Sequence, residues 1–338
     1  MISHPSLRVL ITGGGTANAV SVLKGLRWQR EIPVHITLGD AAEVVAGGFL
    51  ADTFVRLPPG SDPDFADTLL RICLGHDIKL VVSTIDFEFE AWAERASDFL
   101  SHGIRVAISP LSAIRTCSDK AEFAMFLERL ALPGARVYSR DQVLERRVPF
   151  PLFVKPRRGG RGSLGTHVAR DVMDLDRILS TMDDPLVQEF IDGEEYTIDT
   201  ISDFDGRFLA AMPRVRRETK AGVSVKGCTV DDPEMVAMAK AIAEALPIIG
   251  PSNIQCFRKR DGSLIVSEAN LRFSGALALS LAAGLNGPLI LLKMVRGEKV
   301  DPSRLPLQYG VQMFRFWEET FLYPDGTATA SPWGSYPL

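Results

Sequence analysis

The chain has 338 residues, of which 46% are hydrophobic and 24% are charged, and its formal net charge is −4. This length exceeds what one hydrophobic core usually serves, so two or three domains are expected. The slightly acidic balance argues against non-specific nucleic-acid binding, which needs clustered positive charge. No apolar run is long enough to span a bilayer, and the four cysteines have no spacing typical of a zinc site or a disulfide framework. A reducing, cytoplasmic location without membrane or nucleic-acid partners is therefore expected.

The first part of the chain alternates predicted strands with predicted helices. Apolar runs typical of buried strands lie at 8–12, 34–38, 53–57, 80–84 and 104–109, and helical patterns lie at about 63–76 and 88–102. This alternation predicts a parallel, doubly wound sheet, so residues 1–113 are expected to form one α/β domain.

A glycine-rich turn, Gly13–Gly15, follows the first predicted strand. The nicotinamide-binding fingerprint has glycine at its sixth position, but Asn18 stands there, although Asp40 ends the second strand where a ribose-binding acid would lie. A nicotinamide-dependent oxidoreductase therefore stays open as an alternative. Three acids after a later strand are expected to face either the same crevice or solvent: Asp86, Glu88 and Glu90.

A smaller unit is predicted between residues 114 and 192. A helix is expected to begin with Ser118 as its cap, and a strand over 150–155 ends at Lys155. The loop 157–165 follows, with four glycines and three arginines. Its backbone amides would suit a phosphate chain, with Lys155 and the arginines adding charge, and a positively charged hairpin tip is the alternative.

An Asp-Gly pair, Asp261–Gly262, lies between two apolar-rich runs and predicts a β-hairpin. If these two residues form the turn, Arg260 faces Ser263, and counting back along both strands places Gln255 opposite Glu268.

The same face of this hairpin carries a set of polar side chains. Asn270 lies two residues beyond Glu268 and shares its face, and Arg272 does so while the strand stays extended. Amide and carboxylate oxygens beside a fixed cation suit a magnesium ion that holds a polyphosphate. A solvated polar strand face is the alternative.

A second Asp-Gly pair, Asp205–Gly206, predicts another hairpin, and a basic segment follows it. The segment would either reach a binding site or form a solvated loop; within it, Arg216 is the favoured site residue.

The motifs stand in one order along the chain: Asp119-Lys120, Val154-Lys155-Pro156, the glycine loop, Glu189 to Tyr196, Gln255, and Glu268 to Gly275. In this order they resemble the ATP-grasp superfamily, most closely the branch of the carbamoyl-phosphate synthase large subunit in a stand-alone, single-module form. The resemblance covers residues 8–295 and implies an α/β fold, in part α+β. An N-terminal doubly wound α/β domain would occupy 1–113, a linker helix and small lid 114–192, and a C-terminal antiparallel-sheet domain 193–300. Residues 301–338 would be an extension of unassigned role.

The resemblance also implies a role for each matched residue. The nucleotide would be bound through its phosphates, adenine and ribose by Lys120, Lys155, Gly159, Gly160, Gly162, Ser163, Gly165, Glu189, Phe190, Ile191 and Glu195. The metal ligands would be Gln255, Glu268 and Asn270. Arg272 would lie beside the reacting phosphate, and with Lys155 and Arg216 it forms the predicted catalytic set. Many members have an acid where Gln255 stands, and proline is usual where Leu271 stands.

The implied function is an ATP- and Mg²⁺-dependent, ADP-forming carboxylate–amine ligase, with Mn²⁺ as a substitute metal. It would activate a small carboxylate as an acyl phosphate and couple it to an amine, with an amino acid or peptide as the favoured substrate and a homodimer as the implied assembly. A carbamoyl-phosphate-synthase-like enzyme is the alternative within the family, although this chain has neither a second ATP module nor a glutaminase. A catalytically silent nucleotide-binding protein is an alternative of another class.

Overall fold

The computed structural model describes residues 6–159, 165–316 and 318–329. Its N-terminal part is a five-stranded parallel sheet in the order β3-β2-β1-β4-β5, which confirms the predicted doubly wound α/β architecture. The strands are β1 Leu7–Thr12, β2 Val34–Asp40, β3 Thr53–Arg56, β4 Leu80–Val82 and β5 Arg105–Val106. The helices are α1 Ala17–Trp28, α2 Phe65–Gly75, α3 Phe89–Ser101 and α4 Leu111–Ser118.

A three-stranded antiparallel sheet in the order β7-β6-β8 follows, and we call residues 120–189 the lid. Its elements are α5 Lys120–Arg129, α6 Arg140–Leu144, β6 Leu152–Pro156, β7 His167–Ala169, α7 Val172–Leu179 and β8 Pro185–Glu189. The lid sheet and α7 enclose a hydrophobic core of their own, which includes Leu152, Val154 and Leu175.

The C-terminal part is a six-stranded antiparallel sheet in the order β13-β12-β9-β10-β11-β14. Its strands are β9 Gly193–Ser202, β10 Phe208–Lys220, β11 Val223–Thr229, β12 Gly250–Lys259, β13 Leu264–Asn270 and β14 Gln312–Phe314. The helices are α8 Pro233–Ala245, α9 Leu277–Ala282 and α10 Gly287–Val295, and a short hairpin of β15 Phe321–Leu322 and β16 Ala328–Thr329 follows. No helix in the described ranges has both the length and the apolar character that a membrane span requires.

Both Asp-Gly hairpins turn through three residues, so the predicted two-residue turns are wrong. In the β12–β13 hairpin, Lys259 N donates to Ser263 O at 2.9 Å, and the loop between them ends at Gly262, whose φ of +87° favours glycine. Near this loop Cys256 pairs with Val266, one residue away from the predicted register. A β-bulge between this pair and the next restores the register, so Gln255 lies opposite Glu268 as predicted.

Three other local predictions are corrected. Ser118 ends α4, and the cap of α5 is Asp119, which accepts hydrogen bonds from Ala121 N and Glu122 N. The basic segment after the second hairpin is ordered as strands β10 and β11 rather than as a solvated loop. Residues 312–314, within the predicted extension, form the edge strand of the C-terminal sheet.

Candidate active site between the lid and the C-terminal sheet

The paired strands β12 and β13 bring the three predicted metal ligands onto one face. Gln255 lies opposite Glu268, and Asn270 Nδ2 donates to Glu268 Oε1 at 3.1 Å. The bulge places Ser267 out of the pairing, where its Oγ donates to Gln255 O at 3.2 Å. One carboxylate and two amides therefore share this face, which we call the ligand face.

Arg216 joins the ligand face to β9. Its guanidinium is 8% exposed and forms an ion pair with Glu195, while Nη1 also donates to Gln255 Oε1 at 3.4 Å. Nη2 donates to Gly222 O at 2.8 Å, in the turn between β10 and β11. Burial raises the pKa of Glu195, an effect that the charge of Arg216 opposes and the charge of Glu268 adds to. The structure thus brings together the predicted ribose acid, the predicted catalytic arginine and a predicted metal ligand.

Two lysines face the same region from the lid. Lys155 in β6 is 5% exposed, and burial lowers its pKa to about 8, against the opposing effect of the Glu268 carboxylate. Lys120 begins α5, and its Nζ donates to Gly159 O at 2.8 Å at the start of the glycine loop. Burial also lowers the pKa of Lys120, and the charge of Glu268 is the largest opposing influence. The negative charge of Glu268 on the ligand face therefore favours the protonated form of both lysines.

The arginines at the start of the glycine loop have another role than the predicted phosphate contact. Arg157 Nε donates to Asp119 Oδ1 at 2.8 Å, and Arg158 donates to Asp119 Oδ2 at 3.0 and 2.9 Å. The Asp119 side chain is 1% exposed; burial would raise its pKa, but these two arginines lower it to about 2. Both guanidinium groups are thus committed to Asp119. Five residues of the predicted loop lie outside the described residues: Gly160, Arg161, Gly162, Ser163 and Leu164.

The predicted adenine hinge lies at the end of β8. Glu189 exchanges two hydrogen bonds with Arg136: its N donates to Arg136 O at 2.9 Å, and its Oε1 accepts from Arg136 N at 2.9 Å. Phe190 and Ile191 follow before β9 begins, and Phe190 is 41% exposed. Within the described residues, no hydrogen bond engages the backbone of Phe190 or Ile191. Those backbone groups are therefore available to a ligand.

Arg272 meets the N-terminal sheet, a contact that sequence reasoning did not assign. Its Nε lies 2.9 and 3.0 Å from the two carboxylate oxygens of Asp86, at the carboxyl end of β4. The one indication of this position in the sequence is that Asp86 follows a predicted strand of a parallel sheet, where ligands usually bind. Glu88 does not face the crevice, because it is buried and accepts hydrogen bonds from Thr12 and Ser83 at 2.5 and 2.8 Å. Glu90 is exposed beside Arg115.

The backbone at and near the glycine-rich turn of the N-terminal sheet donates hydrogen bonds to the carboxylate of Asp40. Asp40 Oδ2 accepts from Gly15 N at 2.8 Å, and Oδ1 accepts from Ala42 N at 2.9 Å. Both oxygens of the acid that a nicotinamide ribose would require are thus engaged by the local backbone.

Two family models match separate parts of the chain. Residues 181–316 match the family described as ATP-grasp in the biosynthetic pathway with Ter operon. Residues 9–107 match the PylC-like N-terminal domain.

Among curated proteins, the chain is similar to the carbamoyl phosphate synthase large chain of Archaeoglobus fulgidus, with 25% identity over 228 residues, 61% of this chain and 21% of that protein. It is also similar to the N5-carboxyaminoimidazole ribonucleotide synthase of Mycobacterium tuberculosis, with 27% identity over 285 residues, 78% of this chain and 62% of that protein. The chain thus spans less than two thirds of the length of either relative.

Two solved structures share the fold at low sequence identity. The biotin carboxylase domain of Hydrogenobacter thermophilus 2-oxoglutarate carboxylase, in complex with MgADP, ADP and bicarbonate, has a TM-score of 0.71 and 14% identity and covers 91% of this chain and 74% of that one. An L-amino acid ligase from Bacillus licheniformis has a TM-score of 0.66 and 16% identity, over 89% and 76% of the two chains. Residues 181–316 match an ATP-grasp family model and most of the chain shares its three-sheet fold with these structures, so the chain contains an ATP-grasp domain.

Proposed function

We propose that this protein is an ATP- and Mg²⁺-dependent, ADP-forming ligase that activates a small carboxylate as an acyl phosphate and couples it to an amine. The observation that carries the proposal is the ligand face of Gln255, Glu268 and Asn270, beneath Lys155 and beside Arg216. An amide–carboxylate set within reach of buried cations suits a metal–polyphosphate complex and has little use in a purely structural sheet.

The donor set of the ligand face fits magnesium. Within the described residues no group of three or more His, Cys, Asp or Glu side chains is placed to hold a metal, which excludes sites rich in nitrogen, sulfur or carboxylate there. Mg²⁺ usually takes only one or two protein carboxylates and fills its other positions with water and substrate phosphates. Glu268 would be the charged ligand and Gln255 and Asn270 the neutral ones. When bound, the metal would neutralise charge on the phosphates.

We assign the nucleotide to the space between the lid and the ligand face. Lys120, Lys155 and the backbone of the glycine loop, including Gly159 and Gly165, would bind the phosphates. The free backbone groups of Phe190 and Ile191 would read the adenine beside Glu189. Glu195 would bind the ribose hydroxyls while its charge is balanced by Arg216.

The chemistry requires little covalent participation by the protein. The substrate carboxylate would attack the γ-phosphate in line, and Lys155, Arg216 and Arg272 would stabilise the negative charge on the transferring group. The amine would then displace phosphate from the acyl phosphate. The lid sheet, with its own core, would close over this site and exclude the water that would hydrolyse the intermediate.

Bicarbonate is a second candidate for the activated carboxylate. It is favoured by the solved biotin carboxylase domain that holds bicarbonate together with MgADP. An amino acid or peptide is our first choice, and a homodimer and a cytoplasmic location stay predictions.

Ligand-induced stabilisation tests the nucleotide assignment. MgATP should raise the melting midpoint of the protein and NADH should not, because only a ligand of the folded state stabilises it. Phosphate release from MgATP should then increase with amino acids or with bicarbonate. Stabilisation by NADH without an effect of MgATP contradicts the proposal and supports an oxidoreductase.

A substitution at the ligand face tests the metal assignment. Glu268→Gln removes the one charged ligand, so substrate-dependent phosphate release should fall about a hundred-fold and the Mg²⁺ concentration for half-activity should rise. Glu194→Gln is the matched control: this exposed glutamate bonds to Tyr196 in β9 and makes no contact with the ligand face. Equal activity of the two variants would rule out the metal role of Glu268.

A further inference from the structure

The ion pair between Asp86 and Arg272 crosses the crevice between the parallel sheet and the ligand face. Asp86 begins a short 3-10 helix directly beyond β4, and Arg272 lies two residues beyond Asn270. The side chain of Asp86 is 55% exposed, whereas that of Arg272 is 19% exposed. A half-exposed carboxylate at the carboxyl end of a parallel strand is a position from which proteins of this sheet type contact ligands.

The geometry of the Asp86–Arg272 ion pair is weak enough for another ion to replace one of the two partners. Both carboxylate oxygens of Asp86 face the single Nε of Arg272, so the two-pronged arrangement that makes arginine–carboxylate pairs strong is absent here. Within the part of the chain that the structure describes, the one acceptor of Arg272 Nη1 is Phe273 O, at 3.3 Å. A pair with one exposed partner contributes little to stability, and an anion at Arg272 would compete with it.

Moving Arg272 would leave Asp86 without a counter-charge. The proposed function requires Arg272 beside the transferring phosphate, and Asp86 then loses its partner. The charge of Asp86 also acts on Lys120, but the Nζ of this lysine donates to Gly159 O and is assigned to the phosphates. The two neighbouring acids, Glu88 and Glu90, supply no positive charge. The place of Arg272 at Asp86 is then open to water or to a cationic group of the substrate, and the charge of the carboxylate favours the cation.

We propose that Asp86 binds the ammonium group of the amine substrate and holds it at the carboxyl end of β4, next to the acyl phosphate. One ammonium proton passes through the Asp86 carboxylate to solvent, the neutral amine then attacks the acyl carbon, and phosphate leaves. In the ligand-free protein the Arg272 guanidinium occupies the place of that ammonium. This inference rests on the proposed ligase function and specifies its second substrate as a compound with a protonated primary amine. Asp86 is then the residue that selects this substrate, and a positive charge on the acceptor is what it recognises.

The test compares charged and uncharged acceptors on Asp86→Asn. The twenty amino acids and simple diamines serve as ammonium acceptors, and hydroxylamine, which is largely uncharged at slightly alkaline pH, traps the acyl phosphate as a hydroxamate. For the ammonium acceptor that works best with the wild type, Asp86→Asn should raise KM about ten-fold, equivalent to about 1.4 kcal/mol. Hydroxamate formation and the KM for MgATP should change little. Glu90→Gln, which neutralises an exposed acid four residues on, should match the wild type in every assay.

The outcomes separate this inference from the proposed function. An unchanged KM for the ammonium acceptor in Asp86→Asn overturns it, and so does an equal loss with hydroxylamine. Wild-type phosphate release that no ammonium compound increases also overturns it, while leaving the acyl-phosphate chemistry standing. A wild type that does not bind MgATP removes both proposals. Because hydroxamate formation is measured on the same preparation, partial unfolding of the variant cannot imitate the expected result.

Discussion

Lys155 is a buried lysine whose charge depends on what the site contains. Burial lowers its pKa from 10.5 to about 8, so the free protein loses this positive charge as the pH rises through that value. Bound phosphates favour the ammonium form, so binding of MgATP should raise the pKa and take up protons. We expect the dissociation constant for MgATP to increase above about pH 8. Calorimetry in buffers of different ionisation enthalpy measures both effects.

Lys155→Arg is the control for this pH dependence. A guanidinium stays charged throughout the range, so the variant should bind MgATP with little dependence on pH between 8 and 10.5. In the ligand-free wild type the unfolded chain binds more protons than the folded one over the same window. The free energy of unfolding of the wild type should therefore rise with pH in this window, whereas that of Lys155→Arg should not. The same pH dependence of binding in both proteins would remove Lys155 from the phosphate site.

Residue-level prediction succeeded where the strand period fixes which side chains share a face. Gln255, Glu268 and Asn270 meet as predicted, although the predicted turn is one residue too short. The bulge at Ser267 supplies the compensating residue, and no local sequence signal marks it. The partner of Arg272 was not predictable in the same way. Asp86 lies 186 residues away in sequence, and only the packing of two sheets brings them together.

At the scale of elements, Asp119 joins helix α5 to the start of the glycine loop. It caps the helix and pairs with Arg157 and Arg158, which follow β6. Asp119→Asn should keep the cap, because asparagine caps as well as aspartate, but it removes the ion pairs. We expect a loss of about 2 kcal/mol in the free energy of unfolding, below the usual cost of breaking a fully buried pair because both arginines are partly exposed. Urea unfolding of both proteins measures it.

Asp171→Asn is the matched control, since Asp171 caps α7 through Asp174 N and forms no ion pair within the described residues. It should leave the unfolding free energy almost unchanged. The pKa of Asp119 is lowered from 3.8 to about 2, so its stabilising contribution is complete above the higher value and is lost as the pH falls through the lower one. Equal losses in the two variants would mean that the ion pairs of Asp119 contribute nothing.

The hairpin of β10 and β11 shows why one element was missed. Its turn is Ala221–Gly222, with φ angles of +47° and +75°, and Lys220 pairs with Val223 across it. Alanine is uncommon in that conformation, so the pair lacks the Asp-Gly or Asn-Gly signal that located the other hairpins. The basic residues around it therefore suggested a loop, whereas the pairing of the strands places Arg216 against Glu195.

At the scale of the whole molecule, the three sheets do not form three independent cores. The N-terminal and C-terminal sheets share two hydrophobic clusters, one of which joins Ile11 and Leu38 to Leu277 and Leu291. Only the lid sheet has a separate cluster. An apolar pattern indicates that a face is buried but not what it packs against, so the fold class could be predicted from the sequence while the packing of its sheets against one another could not. The shared cores fix Asp86 opposite Arg272 and also hold α5 through Phe123 and Leu127, whereas the separate core holds the lid sheet with α6 and α7.

The segment after residue 300 is predicted to be part of this shared structure rather than an appendage. Its strand β14 pairs with β11, Arg315 Nη2 donates to Gly275 O at 2.8 Å, and Leu305, Leu307 and Val311 pack against the shared cluster. A chain that ends at residue 300 would expose the edge of β11 and lose these contacts. We expect it to lose at least about 3 kcal/mol of stability and to aggregate on warming.

A chain that ends at residue 320 is the control, because it keeps β14 and Arg315 and lacks only the hairpin of β15 and β16. Thermal unfolding with light scattering should give it the midpoint of the full chain, while the shorter chain melts earlier. Since Gly275 lies three residues beyond Arg272, the shorter chain should also bind MgATP more weakly than its stability alone explains. Equal midpoints for all three chains would show that the edge strand adds nothing to the stability of the fold.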